Sequence, residues 1–176
     1  MSRIIIENHP FSKLAKQIDN LLWASVILST AIAALSLMNM GRLSLFMGPV
    51  MFMLTLLHNF VLLSLASRNR KIPSESLTNK IPPTATKANI VITWLLAALW
   101  TVVVLLIIVV SVIIMASDRF EAWERLAGYI ELPFVGAEVA LLVVLALKCR
   151  KQRRSSIIEP ERVDWEHYGQ PQPGVA

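Results

Sequence analysis

The sequence predicts an all-α protein: a four-helix transmembrane bundle, antiparallel, with both termini cytoplasmic. Three observations lead there. The chain has 176 residues, 55% of them hydrophobic, and a mean hydropathy of +0.59, against about 45–50% apolar residues in an ordinary soluble domain. The apolar residues are gathered into four long blocks. The basic residues collect at alternate ends of those blocks.

The blocks lie at about 20–40, 44–67, 89–116 and 127–148, each long enough for the roughly 20 helical residues that cross a hydrocarbon core of about 30 Å. Lipid offers the backbone no hydrogen bonds, so a spanning segment is a helix or part of a closed barrel. VVVLLIIVVSVII in the third block has no polar–apolar alternation, so the barrel is excluded. That block is longer than a span needs and is expected to tilt. LLWASVILSTAIA in the first, with Ala31-Ile32-Ala33, competes as a signal-peptide core. The nineteen-residue leader and the continuation through Met40 favour a retained span.

Orientation follows from the basic residues. Arg3, Lys13 and Lys16 precede the first block; Arg68, Arg70, Lys71, Lys80 and Lys87 separate the second and third; Lys148, Arg150, Lys151, Arg153, Arg154 and Arg162 follow the fourth. Only Arg42, Arg119 and Arg125 fall on the other side, and the last two share their loop with Asp118, Glu121 and Glu124. Fourteen of the seventeen basic residues therefore lie on one side, which is read as the cytoplasm. Because they hug the membrane ends, they point to anionic lipids and not to nucleic acid.

The chain divides into a cytoplasmic segment 1–19, a membrane domain 20–148 and a cytoplasmic tail 149–176, basic at first and then disordered, with Pro160, Gly169, Pro171, Pro173 and Gly174. Gly41 and Arg42 predict a tight first hairpin; Pro73, Pro82 and Pro83 predict an irregular inner connector. SDRFEAWERLAGYI reads as an anchored span end with Trp123 at headgroup level. Lys148, Arg150, Lys151, Arg153 and Arg154 are candidates for binding lipid headgroups. The single cysteine, Cys149, cannot form an internal disulfide and is a candidate for lipidation. Ser155 and Ser156 follow Arg153-Arg154 as candidate phosphorylation sites, where phosphate would weaken lipid attraction.

Polar side chains inside the spans are the candidate site. Glu131 and Glu138 are seven residues apart and share a helix face. Counted inward from Lys148 at about 1.5 Å per residue, Glu138 lies about 15 Å deep, at mid-bilayer, and Glu131 lies near the outer headgroups, within reach of water. An acidic residue at mid-bilayer is unfavourable by roughly 2.5–3.5 kcal/mol. It needs a partner. Counted from Arg68, His58 is at the same depth, with Asn59 beside it and Thr55 one turn away. A midplane contact of Glu138 with His58 or Asn59 is therefore expected, either as an interhelix hydrogen bond or as a proton relay. Pro133 and Gly136 predict a kink that would open an outer crevice beside Glu131. Small-residue ridges at Ser25, Ser29 and Ala33, and at Gly136 and Ala140, permit close helix approach, within the chain or between copies of it.

Four spans, cytoplasmic termini, a tight first hairpin and a basic end after the fourth span resemble the MARVEL-type tetraspan family over about residues 15–155. The resemblance implies a role in membrane apposition, vesicle trafficking or membrane-domain organisation, in a eukaryotic plasma membrane or endomembrane. Small multidrug transporters carry their membrane glutamate on the first helix, unlike this chain. No metal-ligand cluster, Gly-rich phosphate loop or Ser-His-Asp order is present. The expectation is a non-enzymatic membrane scaffold without cofactor or metal. Its partners would be the lipid bilayer, anionic lipids at the cytoplasmic face, and a second copy or another membrane protein. The alternative is a small proton- or ion-coupled transporter or channel subunit using Glu138.

Overall fold

A computed structural model describes residues 4–5, 13–38, 46–70, 81–115 and 122–158. It is a bundle of four helices: α1 (Lys13–Met38), α2 (Met47–Arg70), α3 (Lys87–Met115) and α4 (Ala122–Ser156). A short 3₁₀ turn, Pro83–Ala85, leads into α3. A two-residue strand β1 (Ile4–Ile5) pairs antiparallel with β2 (Ile157–Ile158), joining the segment before α1 to the end of α4. All four helices are long and apolar enough to cross a membrane. The expected hairpin at Gly41 and Arg42, the connector around Pro73 and the tail beyond Ile158 lie outside the described residues.

The helices run past the expected block ends. α1 begins at Lys13 and so includes part of the leader. α4 continues through Ser156, so the basic run is helical instead of opening the disordered tail. Pro133 sits inside α4 without ending it. α3 is rich in Val and Ile, which favour strands in water. In lipid the demand for internal backbone hydrogen bonds overrides that preference.

A seven-residue rhythm sets the packing. On α4 the buried positions Glu131, Val135, Glu138, Leu142, Leu145, Cys149 and Gln152 are alternately four and three apart, with Ala146 buried beside them. The same spacing runs through Asn89, Thr93, Leu96, Trp100, Val103 and Ile107 on α3, with Ala97 beside it, and through Ile18, Leu22, Ser25, Ser29, Ile32 and Ser36 on α1, with Ala33 beside it. This is the seam of left-handed helix packing found in membrane bundles. α4 packs on α3 and on α1, and α1 also packs on α2. α2 and α3 meet lightly, while α2 and α4 stand diagonally with at most marginal contact.

Polarity is distributed inside-out. Phe60, Leu57, Leu95, Leu105 and Val112 are exposed, whereas Ser25, Thr55, Asn59, Thr93, Glu131 and Glu138 are buried. A protein in water places these classes the other way round. With four spanning helices, this makes the chain an integral, multi-pass membrane protein.

Candidate functional site

The middle of the bundle holds a polar junction of three helices. Ser25 on α1 donates its hydroxyl proton to Oε1 of Glu138 on α4 at 2.5 Å. Asn59 on α2 donates from Nδ2 to the same Ser25 oxygen at 2.9 Å. All three residues are completely buried. The first distance is that of a hydroxyl giving to a carboxylate, about 2.5–2.7 Å. Oε2 of Glu138 and Oδ1 of Asn59 are buried with no hydrogen-bond partner.

Ser25 is the partner that the depth count on α2 missed. The sequence offers it only as part of a packing ridge. Counted from Lys16 it lies about 13 Å inside, level with Glu138, so depth counting applied to α1 would have found it. Asn59 reaches Glu138 only through Ser25, because α2 and α4 are diagonal and α1 stands between them. His58 does not take up the expected pairing either: its Nε2 lies 3.2 Å from the Thr93 hydroxyl on α3, on the other side of α2. Thr30 and Thr101 bond back to the carbonyls of Val26 and Ala97 on their own helices.

A second link joins α2 to α3. Trp100 Nε1 donates to the Thr55 hydroxyl at 2.9 Å, and both residues are buried. The indole is the largest fully buried side chain among the described residues, and it fills the space between two helices whose backbones stay apart.

Glu131 departs from expectation. It is 1% exposed, not reaching outer water, and neither carboxylate oxygen has a hydrogen-bond partner. Ser36 on α1 is its polar neighbour. The cause is the seven-residue rhythm: the register that buries Glu138 buries Glu131 two turns away. Pro133 is exposed on the outer surface of α4, two residues from the buried Glu131. Gly136 and Ala140 are exposed too, and nothing lies within 4 Å of where a Gly136 side chain would begin. The ridge of Ser25, Ser29 and Ala33 is buried within the bundle.

The end of the bundle near Lys148 is closed by a collar. The Lys148 ammonium donates to Gln17 Oε1 at 2.8 Å. Thr84 donates to Gln152 Oε1 at 2.7 Å, and Asn89 Nδ2 donates to the Thr84 carbonyl at 2.8 Å. Arg153 donates to the Ala85 carbonyl at 3.0 Å. Thr86 caps α3 by accepting from the Asn89 amide. Cys149 is fully buried here, 3.8 Å from Asn89 Nδ2. Its thiol therefore faces protein instead of the lipid, against the expectation of an acylation site. Arg150, Lys151 and Arg154 remain exposed, whereas Lys148 and Arg153 are half-buried and engaged. Ser155 is exposed and donates to the Gln152 carbonyl; the Ser156 side chain lies outside the described residues.

Comparison with family models, with curated proteins and with solved structures gives no match to this chain.

Proposed function

We propose that this chain is a non-enzymatic tetraspan scaffold of a eukaryotic plasma membrane or endomembrane, serving membrane organisation or vesicle trafficking as its MARVEL-type resemblance implies. Its helices are antiparallel and both termini are cytoplasmic. The order of contacts supports the antiparallel reading. Gln17 meets Lys148, Ser25 meets Glu138 and Ser36 neighbours Glu131, so α1 and α4 run in opposite senses. Thr55 with Trp100 and His58 with Thr93 give the same relation between α2 and α3.

The observation that carries the scaffold reading is the junction at Ser25. It ties α1, α2 and α4 with two hydrogen bonds at one depth, which fixes helix register. His58 pairs with Thr93 and not with Glu138, which supports the scaffold reading over a relay through these two residues. Outside the junction, the basic residues Arg150, Lys151 and Arg154 stand free for anionic headgroups on the cytoplasmic side. A second copy or another membrane protein would dock on the outer helix faces.

The transporter reading keeps one specific observation: buried oxygens of Glu131 and Glu138 without hydrogen-bond partners along one face of α4. Proton flux separates the two readings. The purified protein is reconstituted in liposomes with an internal pH dye and an imposed gradient. The scaffold predicts no flux above empty liposomes. Flux that disappears in both Glu138→Gln and Glu131→Gln, with folding intact, overturns it.

A further inference from the structure

We propose that Glu138, Asn59 and Ser25 form a binding site for a small monovalent cation, sodium, where α1, α2 and α4 meet. Counting donors and acceptors leads to it. Ser25 has one proton, and it goes to Oε1 of Glu138. Ser25 then accepts from Asn59, which fixes the amide with Nδ2 toward the hydroxyl. Two atoms remain, Oε2 of Glu138 and Oδ1 of Asn59, each on a residue with no exposed surface. Both are acceptors. The junction has a surplus of oxygen lone pairs and no donor to meet them. Asn59 is on a different helix from the carboxylate, so the surplus does not come from one acidic residue alone.

Among the described residues no cation reaches this place. The spans contain no Lys or Arg between Lys16 and Arg42, between Arg42 and Arg68, between Lys87 and Arg119, or between Arg125 and Lys148. Lys148 is held by Gln17, and His58 is turned to Thr93. A bare carboxylate at mid-bilayer is strongly disfavoured, so neutralisation comes from outside the chain.

The donor set selects the ion. Carboxylate, amide carbonyl and hydroxyl are hard oxygen ligands and suit hard cations. Among the described residues no three His, Cys, Asp or Glu side chains gather to hold a metal ion, so a transition metal has no ligand set. A divalent ion would leave net positive charge in the lipid centre, whereas a monovalent ion brings one carboxylate to neutrality. Bonds of 2.5 and 2.9 Å hold the three groups close together, which favours sodium over potassium. A proton competes for the same oxygen. The other titratable groups on the surrounding helices are Lys13, Lys16 and Asp19 on α1, His58, Arg68 and Arg70 on α2, and Glu124, Arg125, Tyr129, Glu131 and Cys149 with the basic residues from Lys148 onward on α4; α3 offers only Lys87.

Loading is an equilibrium property that needs no transport, so it stands apart from the scaffold reading and from the flux assay. Thermal unfolding of the full chain in detergent tests it, in sodium, potassium or choline chloride at matched ionic strength. Sodium binding to the folded state raises the midpoint. The expected result is a rise of several degrees in sodium over choline at mildly alkaline pH. Potassium gives a smaller rise, and acidic pH, where protons occupy the site, shrinks the sodium effect. Asn59→Leu and Glu138→Gln abolish the sodium response, while Ser29→Ala, on the same face of α1, keeps it. The wild-type comparison stands even if a variant fails to fold. Equal midpoints in sodium and choline at alkaline pH overturn the proposal, as does a sodium response undiminished in Glu138→Gln.

Discussion

The Ser25 hydroxyl lies 2.5 Å from Oε1 of Glu138, across 113 residues of chain. The same oxygen of Ser25 receives the Asn59 amide. One small side chain thus holds two larger ones on helices that have at most marginal contact of their own. Removing it should matter more than its size suggests.

Ser25→Ala leaves Oε1 of Glu138 and Nδ2 of Asn59 buried and unpaired. The expected loss of stability is about 1–3 kcal/mol, the penalty for a stranded buried polar group. Ser29→Ala, which removes only a bond to the Val26 carbonyl of the same helix, should stay within about 0.5 kcal/mol. Unfolding in mild detergent measures both. Equal effects would mean that the junction contributes nothing beyond packing.

Trp100→Phe keeps most of the buried ring but loses the bond to Thr55. A loss of about 1 kcal/mol is expected. Trp100→Ala should lose about 3–5 kcal/mol, since it empties the space between α2 and α3. A double variant with Thr55→Val checks the assignment: its effect should fall short of the sum of Trp100→Phe and Thr55→Val.

Cys149 should resist modification in the folded protein. A maleimide added in detergent is expected to label it slowly, and quickly after denaturation, with the mass shift read by intact-protein spectrometry. Asn89→Ala, which loosens the collar beside the thiol, should speed labelling. Rapid native labelling would place the thiol at the lipid after all.

The basic residues at the end of α4 should split into two kinds. Neutralising Arg150, Lys151 or Arg154 should weaken attraction to anionic lipid by about 1 kcal/mol each, with little change in stability. Neutralising Arg153 should instead loosen the segment 81–86, since it holds the Ala85 carbonyl. Fluorescent anionic-lipid binding in nanodiscs reads the first effect, and hydrogen exchange over residues 81–86 reads the second.

Most of the architecture was legible in the sequence because lipid imposes a simple demand. Long apolar blocks have to be helices, and four of them stand where hydropathy put them. Their ends were harder. Lys13 and Lys16 at one helix end, and the run from Lys148 to Arg154 at another, looked like a boundary, but a helix needs no apolar side chains once it leaves the bilayer. The candidate site was half legible. Depth counting located Glu138 and Asn59 together, and the junction does contain both. It could not tell which helices are neighbours, so it passed over Ser25 and joined His58 to the wrong side. Glu131 was misjudged for a related reason. Its depth suggested access to water, but its place in the heptad rhythm turned it inward. Rotation about the helix axis decides burial, and it depends on packing partners that a single sequence does not name.

The position of α1 between α2 and α4 has a consequence for biosynthesis. During synthesis the first helix enters the bilayer long before the fourth. Until α4 arrives, Ser25, Ser29 and Ser36 line a hydroxyl stripe on a face of α1 that lacks its mate. The Glu138 carboxylate, in turn, finds its buried partner only once α4 packs against that stripe. Completion of the fold is therefore signalled chemically: an unfinished chain displays polar groups to lipid, and a finished one hides them.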